Sequence, residues 1–369
     1  MRVVIAGGGT GGHTSAGLAV AATLVESGVD IHWIGSREGI EARRVPEAGL
    51  PFHPISTGKL RRYWDRRNVS DLLVNVPAGL VQSWALLRRL EPAVLFATGG
   101  FASVPPALAA RALGIPLVVH EQTAVLGLAN RITGRFAARV AVSFPGSGAS
   151  LRPDRVVVTG NPVRPELLEG RREAALGGFG FDAALPLVYV TGGAQGSHRV
   201  NRVVGEALPR LLGLCQILHQ CGDNAETGDQ QWLQDRAHTL PPRIAPRYVV
   251  RPYIGAELGD VYAAAALLVG RSGAGTVNEC CNLGLPAVFV PLPGASGDEQ
   301  TANARLVEAA GGAIVLPQAE LTADRLVDLL TRLLADTAAL KGMAARARTL
   351  AVPDAAERLA RLIREVAAP

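Results

Sequence analysis

Twice in this chain a short run of β-formers breaks into glycine and spells G-G-x-x-G-x-H. It does so as GGGTGGH at residues 7–13 and as GGAQGSH at residues 192–198, which puts His13 and His198 in the same register. A glycine-rich turn straight after a strand lets the backbone approach a ligand closely. The helix that follows aims its free N–H groups and positive dipole end at the same point. Such a loop suits a phosphate or diphosphate, and two of them suit group transfer between two phosphate-bearing molecules. The plain alternative for either copy is a tight strand-to-helix turn.

Around the loops, short apolar runs alternate with longer helical patterns. Strands are expected near residues 2–6, 31–35, 93–97, 116–119 and 138–142, then near 186–191, 215–219, 247–250, 266–270 and 287–291. Runs that are apolar throughout are buried on both faces, which means parallel sheets covered by helices. The expected class is therefore α/β, with two doubly wound parallel-sheet (Rossmann-like) domains. A chain of 369 residues, 48% apolar, also exceeds what a single core usually holds. Proline, glycine and charge interrupt the pattern in VVVTGNPVRPELLEGRRE, which sets the domains at 1–163 and 164–349. After Pro353 the amphipathic segment DAAERLARLIREV is expected to form a helix within 350–369 that packs back on the first domain.

Other classes fit poorly. Lys and Arg number 37 against 32 Asp and Glu, a net +5 that suits anionic ligands or a lipid surface without requiring nucleic acid. Cys280 and Cys281 are adjacent, and Cys215 and Cys221 fit no C-x-x-C spacing, so all four read as reduced core thiols of a cytosolic protein. MRVVIAGGG lacks a signal-peptide apolar core and no run reaches transmembrane length, so any membrane contact is expected to be peripheral. Gly7, Gly9 and Gly12 satisfy G-x-G-x-x-G, yet a dinucleotide site wants an acidic residue at the end of the second strand. Asp30 precedes the strand IHWIG, whose end holds Gly35 and Ser36. Neither Lys59 nor Lys341 sits in a nucleoside-triphosphate loop, and there is no D-x-D pair or zinc spacing. No cofactor and no catalytic metal are expected.

IAGGGTGGH, ATGGFASVP, GIPLVVHEQ with LGLANR, VTGNPVR, TGGAQGS, GRSGAGTVNE and DEQTANA follow one another in the order, and roughly at the spacing, of the MurG family, which this chain resembles from residue 2 to about residue 320. That family transfers N-acetylglucosamine from UDP-N-acetylglucosamine to lipid I, giving lipid II in peptidoglycan synthesis. The resemblance implies a glycosyltransferase B-type fold, inversion without metal, and peripheral attachment to the cytoplasmic face of the cell membrane. It also implies an acceptor-side first domain and a UDP-sugar-binding second domain.

Inversion needs a base for the acceptor hydroxyl and charge stabilisation for departing UDP. His13, at a helix start that disfavours its cation, is one candidate base. Glu121 of HEQ is the other, its alternative role being an orienting carboxylate. The resemblance places Thr10, Gly11, Gly12, Gly99, Gly100, Gln122 and Thr123 on the acceptor side. It places Arg164, Gly193, Ala194, Gln195, Gly196 and Ser197 near the donor diphosphate and Thr276 on phosphate. Glu279 falls on the ribose, Gln300 and Asn303 on the sugar, and Asn201, Ile254, Arg271 and Ala274 in the same motifs. The chain departs from the family pattern at Thr14-Ser15, Phe101, Thr123, Ala194 and Glu299, mostly on the acceptor side. A related UDP-sugar transferase with another lipid or a secondary metabolite as acceptor, a UDP-sugar 2-epimerase and a dinucleotide oxidoreductase are the alternatives.

Residues 57–92 bear on location. Lys59, Arg61, Arg62, Arg66 and Arg67 cluster around Tyr63 and Trp64, ahead of an apolar-rich helix carrying Trp84. Cations interleaved with aromatics suit an anionic lipid interface. A solvated loop is the alternative, and no nucleic-acid fold signature accompanies the cluster.

Overall fold

The computed structural model describes residues 1–58, 74–294 and 296–368. The basic cluster from Lys59 to Arg67 lies outside the described residues. The chain divides into two compact units, one of Met1–Val163 with Val352–Pro369 and one of Arg164–Ala351.

Among its described residues the first unit carries seven parallel strands: β1 (Arg2–Gly7), β2 (Asp30–Ser36), β3 (Phe52–Ile55), β4 (Val94–Gly99), β5 (Leu117–Glu121), β6 (Arg139–Val142) and β7 (Val156–Val158). Their order is β3-β2-β1-β4-β5-β6-β7. The described residues of the second unit carry six: β8 (Leu187–Thr191), β9 (Gln216–Gln220), β10 (Tyr248–Arg251), β11 (Ala265–Gly270), β12 (Ala287–Phe289) and β13 (Ala313–Val315). They run β10-β9-β8-β11-β12-β13, the same doubly wound pattern. The order reverses between β1 and β4 and between β8 and β11. At such switch points the carboxyl ends of parallel strands open a crevice, and both glycine loops leave from there.

Every residue of β4, β5, β8 and β9 is buried, as continuous apolar runs require. On one face of the first sheet Val3, Ile5, Trp33 and Phe96 pack with Leu359, Leu362 and Ile363 of the terminal helix Ala355–Ala367. On the other face, Val4, Ala6, Leu95 and Val119 pack with Leu87 and Ala109.

Each expected strand is present within two residues of its expected bounds. β3, β7 and β13 are additional, and all three lie at sheet edges. They are short, β7 and β13 spanning three residues each. β3 contains Pro54, which cannot donate to a ladder. The apolar pattern of β3 is broken by His53 and Pro54, whereas β7 (VVV) and β13 (AIV) are apolar but too short for a run to stand out.

Candidate active site

β1 runs out into Gly7, Gly8 and Gly9, and the helix Gly11–Glu26 begins with Thr10 as its cap, the Thr10 side chain accepting from the His13 N–H at 3.4 Å. This puts His13 in the first turn of the helix, beside the end of β4. Its Nδ1 lies 2.7 Å from the carbonyl oxygen of Thr98. A carbonyl oxygen only accepts, so the ring hydrogen is on Nδ1 and Nε2 keeps its lone pair. The close fit requires glycine at position 99, where φ is 102° and a Cβ would stand 2.7 Å from His13 Cε1. Burial pushes the imidazole below its ordinary 6.5, against the opposing pull of Glu121, the Thr98 carbonyl and Glu41. The result is a neutral base with one exposed lone pair.

Glu121, the last residue of β5, is buried and fully engaged. Oε1 accepts from the Thr123 N–H at 3.0 Å and from the Thr123 hydroxyl at 2.8 Å. Oε2 accepts from the Gly127 N–H at 2.8 Å and from Asn130 Nδ2 at 3.0 Å. Two carboxylate oxygens offer about four lone-pair sites, so none is left for a substrate. Gln122 is buried next to Gly12, and its Oε1 has no hydrogen-bond partner among the described residues.

Sequence reasoning missed Glu41. Fully buried, it accepts from the Gly9 N–H at 2.9 Å, the Ser36 N–H at 3.0 Å and the Ser36 hydroxyl at 2.6 Å. One N–H of the first glycine loop is thus already committed to a carboxylate. That loop is not the plain phosphate cradle its glycines suggested. Nothing in GSREGIEARR distinguishes Glu41 from a solvated helix carboxylate; its role arises from β2 lying beside β1.

In the second unit β8 leads into Gly192–Gly196, with φ of 83° at Gly193 and 74° at Gly196. Ser197 caps the helix His198–Leu211, accepting from the Val200 N–H at 3.5 Å. A cavity of about 560 Å³ borders this loop, lined by Gly193, Gln195, Gly196 and Ser197 and by Arg271, Thr276 and Gln300. Its basic members are His198, Arg199 and Arg271, and no described carboxylate lines it. Such a lining favours an anion. Arg271 donates through Nη1 to the carbonyls of Val290 and Pro291, each at 3.0 Å, and through Nη2 to Gln318 Oε1 at 2.6 Å. Burial lowers its pKa to about 10, which leaves it cationic at neutrality.

Glu279 accepts from the Tyr262 hydroxyl at 2.6 Å. Burial raises its pKa, while Tyr262 and Arg164 pull it down. Gln220, also missed from sequence, ties the site together from beneath. Its Nε2 donates to Gly193 O at 3.2 Å, and its Oε1 accepts from the Tyr189 hydroxyl at 3.0 Å and the Ile254 N–H at 3.1 Å.

Residues 3–142 match the glycosyltransferase family 28 N-terminal domain and residues 187–359 its C-terminal domain. A UDP-N-acetylglucosamine--N-acetylmuramyl-(pentapeptide) pyrophosphoryl-undecaprenol N-acetylglucosamine transferase of Nocardioides sp. is 43% identical, covering 99% of this chain and 98% of its own. The solved MurG of Acinetobacter baumannii is 29% identical with a TM-score of 0.76, over 99% of both chains. The chain belongs to the MurG family. A Neisseria meningitidis UDP-GlcNAc 2-epimerase bound to UDP-GlcNAc has a TM-score of 0.67 over 99% of both chains but is 13% identical, which shows a shared fold alone.

Within the set that MurG resemblance assigns to the donor, Gly193, Gln195, Gly196, Ser197, Arg271, Thr276 and Gln300 line one cavity. Asn201 does not reach it. Its amide is spent below the loop on Cys221 O at 2.8 Å, Asp229 Oδ2 at 2.9 Å and His219 Nε2 at 3.0 Å. Asn303 is also fully buried and donates to Ser272 O at 3.2 Å. Ile254 and Ala274 are buried, Arg164 precedes the short helix Pro165–Leu168, and Ala194 O accepts from the Asp223 N–H at 3.1 Å.

On the MurG acceptor side, Gly99 and Gly100 gather around His13, and Gln122 around Gly12. Gly11 and Thr10 are exposed on the first turn. Thr123 turns inward, its hydroxyl 2.8 Å from Glu121 Oε1 and 2.6 Å from Val125 O, so it braces Glu121 and offers nothing outward. The two histidines of the repeat part company as well. Thr10 caps three residues before His13, but Ser197 caps three before Val200. His198 therefore begins its helix, and the structural counterpart of His13 is Val200.

Proposed function

We propose that this chain is an inverting transferase moving N-acetylglucosamine from UDP-N-acetylglucosamine to the 4-hydroxyl of the muramoyl sugar of lipid I, giving lipid II in peptidoglycan synthesis. The observation that carries this reading is identity of 43% over 99% of the chain to a protein named for that transfer.

The geometry supports a definite division of labour. The acceptor hydroxyl gives its proton to His13 Nε2 while its oxygen bonds to the anomeric carbon. The bond from that carbon to the diphosphate oxygen breaks, and its electron pair leaves with UDP. The Nδ1–H bond to Thr98 O holds the ring, and the nearby Glu121 and Glu41 favour the imidazolium as it forms. Glu121 acts as a positioning residue, since its lone pairs are taken. On the donor side, loop N–H groups, the helix N-terminus and Arg271 meet the departing charge. Glu279 accepts from the ribose hydroxyls and Gln300 meets the sugar. The scheme uses no metal and no other cofactor.

The first unit is assigned the acceptor and the second the donor, with attachment at the anionic cytoplasmic face of the cell membrane and no nucleic-acid partner. On helix Val76–Leu90, Val81 and Trp84 are exposed, and the Arg88 guanidinium lies 5.1 Å from the Trp84 ring centroid. This pairing suits a headgroup boundary. No described helix is long and apolar enough to cross a membrane. A second reading keeps the donor and changes the acceptor, favoured by the inward turn of Thr123 and by the exposed Phe101 ring.

Radiolabel transfer from UDP-N-acetylglucosamine to a short-chain lipid I analogue tests the proposal, with UDP-glucose, UDP-N-acetylgalactosamine and an EDTA-treated reaction in parallel. Selective, EDTA-insensitive transfer is expected. Binding of the UDP-sugar without transfer to lipid I would favour the second reading.

A further inference from the structure

We propose that His198 binds the donor diphosphate as an imidazolium held by Asp229, so that binding of the UDP-sugar takes up a proton. This rests on the donor reading above and adds a proton-linked cation to that site.

Partner chemistry separates the two histidines of the repeated motif. His13 Nδ1 is anchored to the backbone carbonyl of Thr98, and burial holds the ring toward its neutral form. His198 Nδ1 is anchored to Asp229 Oδ1 at 2.8 Å, and a carboxylate favours the charged ring. Asp229 is 3% exposed and its carboxylate is fixed by Asn201 and Arg202, so it holds the His198 ring in one orientation. The His198 side chain is 57% exposed and lines the 560 Å³ cavity with Arg199 and Arg271. Its Nε2 makes no hydrogen bond among the described residues, which leaves one N–H of the charged ring for a phosphate oxygen.

The surrounding charges explain why the proton would arrive with the ligand. Asp229 Oδ1 also accepts from Arg202 Nε at 3.0 Å. One carboxylate cannot neutralise two cations, and Arg199 on the same helix and Arg271 across the cavity oppose a third. Asp223 and Glu226 lie on the stretch between β9 and helix Asp229–His238. A diphosphate supplies the missing negative charge, so ligand and proton favour each other's binding. His219, beneath the loop, cannot substitute: burial pushes its pKa to about 3, so it stays neutral.

Titration calorimetry of the full chain with UDP-N-acetylglucosamine, in two buffers of different ionisation enthalpy, measures the proton directly. This ligand is preferable to UDP, whose terminal phosphate itself titrates at about 6. Kd is expected to rise about ten-fold between about pH 6 and about pH 8, with net proton uptake near neutrality. His198→Gln should bind with a pH-independent Kd near the wild-type value at high pH. A wild-type Kd that is flat with no proton uptake, or a dependence that survives in His198→Gln, overturns the proposal. A chain that binds no UDP-sugar at any pH overturns the donor reading, and the proposal with it.

Discussion

His13 Nδ1 and the carbonyl oxygen of Thr98, 85 residues apart in sequence, meet at 2.7 Å. That one contact selects the tautomer of the proposed base, because the proton must sit on the nitrogen that faces the carbonyl. His13→Gln is therefore expected to lower kcat by about 10²–10⁴-fold while leaving UDP-sugar binding nearly unchanged. Steady-state kinetics beside calorimetry separates the two quantities. Because burial holds the imidazole below 6.5, its neutral form persists beneath that pH, and kcat should fall only on further acidification. An acid limb at higher pH would assign the base to another group.

Glu121 pulls the His13 pKa upward through its charge. Glu121→Gln should thus shift the acid limb of kcat to lower pH without abolishing it. It should also reduce stability by about 1–3 kcal/mol, since the amide cannot accept from all four present donors. Loss of the limb altogether would make Glu121 the base.

Glu41 holds three donors in a fully buried position. Glu41→Ala leaves them unpaired and is expected to cost about 2–4 kcal/mol of unfolding free energy. Chemical denaturation reads that loss. Because Gly9 would lose its anchor, kcat should fall further than KM rises. Wild-type stability in this variant would remove the clamp.

Tyr262 steadies the carboxylate assigned to the ribose. Burial raises the pKa of Glu279 and the Tyr262 hydroxyl opposes that rise, so Tyr262→Phe should push it higher still. The ionised form accepts hydroxyls, and it is lost as pH falls. KM for the UDP-sugar is expected to rise several-fold, about 0.5–1.5 kcal/mol for a lost hydrogen bond, with the deficit growing toward acid and kcat little changed. An equal KM effect at all pH values would leave Tyr262 a packing role only.

His219 titrates in the unfolded chain at its ordinary 6.5 but only at about 3 when folded. Between those values the unfolded state binds more protons, so stability must fall as pH drops below 6.5, by about 1.4 kcal/mol per pH unit. His120, pushed by burial to about 4, adds the same trend in the first unit. In His219→Gln the midpoint of thermal unfolding should respond less to acid; an unaltered response would show that another group controls it.

Much of the fold was legible because central parallel strands are locally encoded. Runs such as RVVIAG and LVYVT are apolar at nearly every position, and glycine marks where they end. Edge strands such as β3, with His53 and Pro54 in FHPI, carry no such pattern. The glycine loops were equally plain, but which donors stay free in them was not. The Gly9 N–H belongs to Glu41, and Asn201 and Thr123, polar residues inside recognised motifs, turn inward to serve His219 and Glu121.

Sequence alone determined the alternation of strand and helix, the two glycine loops, the residue types of a glycosyl-transfer site and membership of the MurG family. These follow from local composition and from order along the chain. Tertiary structure decided which nitrogen of His13 carries the proton, which carboxylate is occupied, and that His198 begins its helix while His13 lies inside one. Those outcomes depend on partners such as Thr98, Asn130 and Asp229, brought close by sheet order and helix packing. Hydrogen-bond geometry is short-ranged in space, and sequence spacing does not record it.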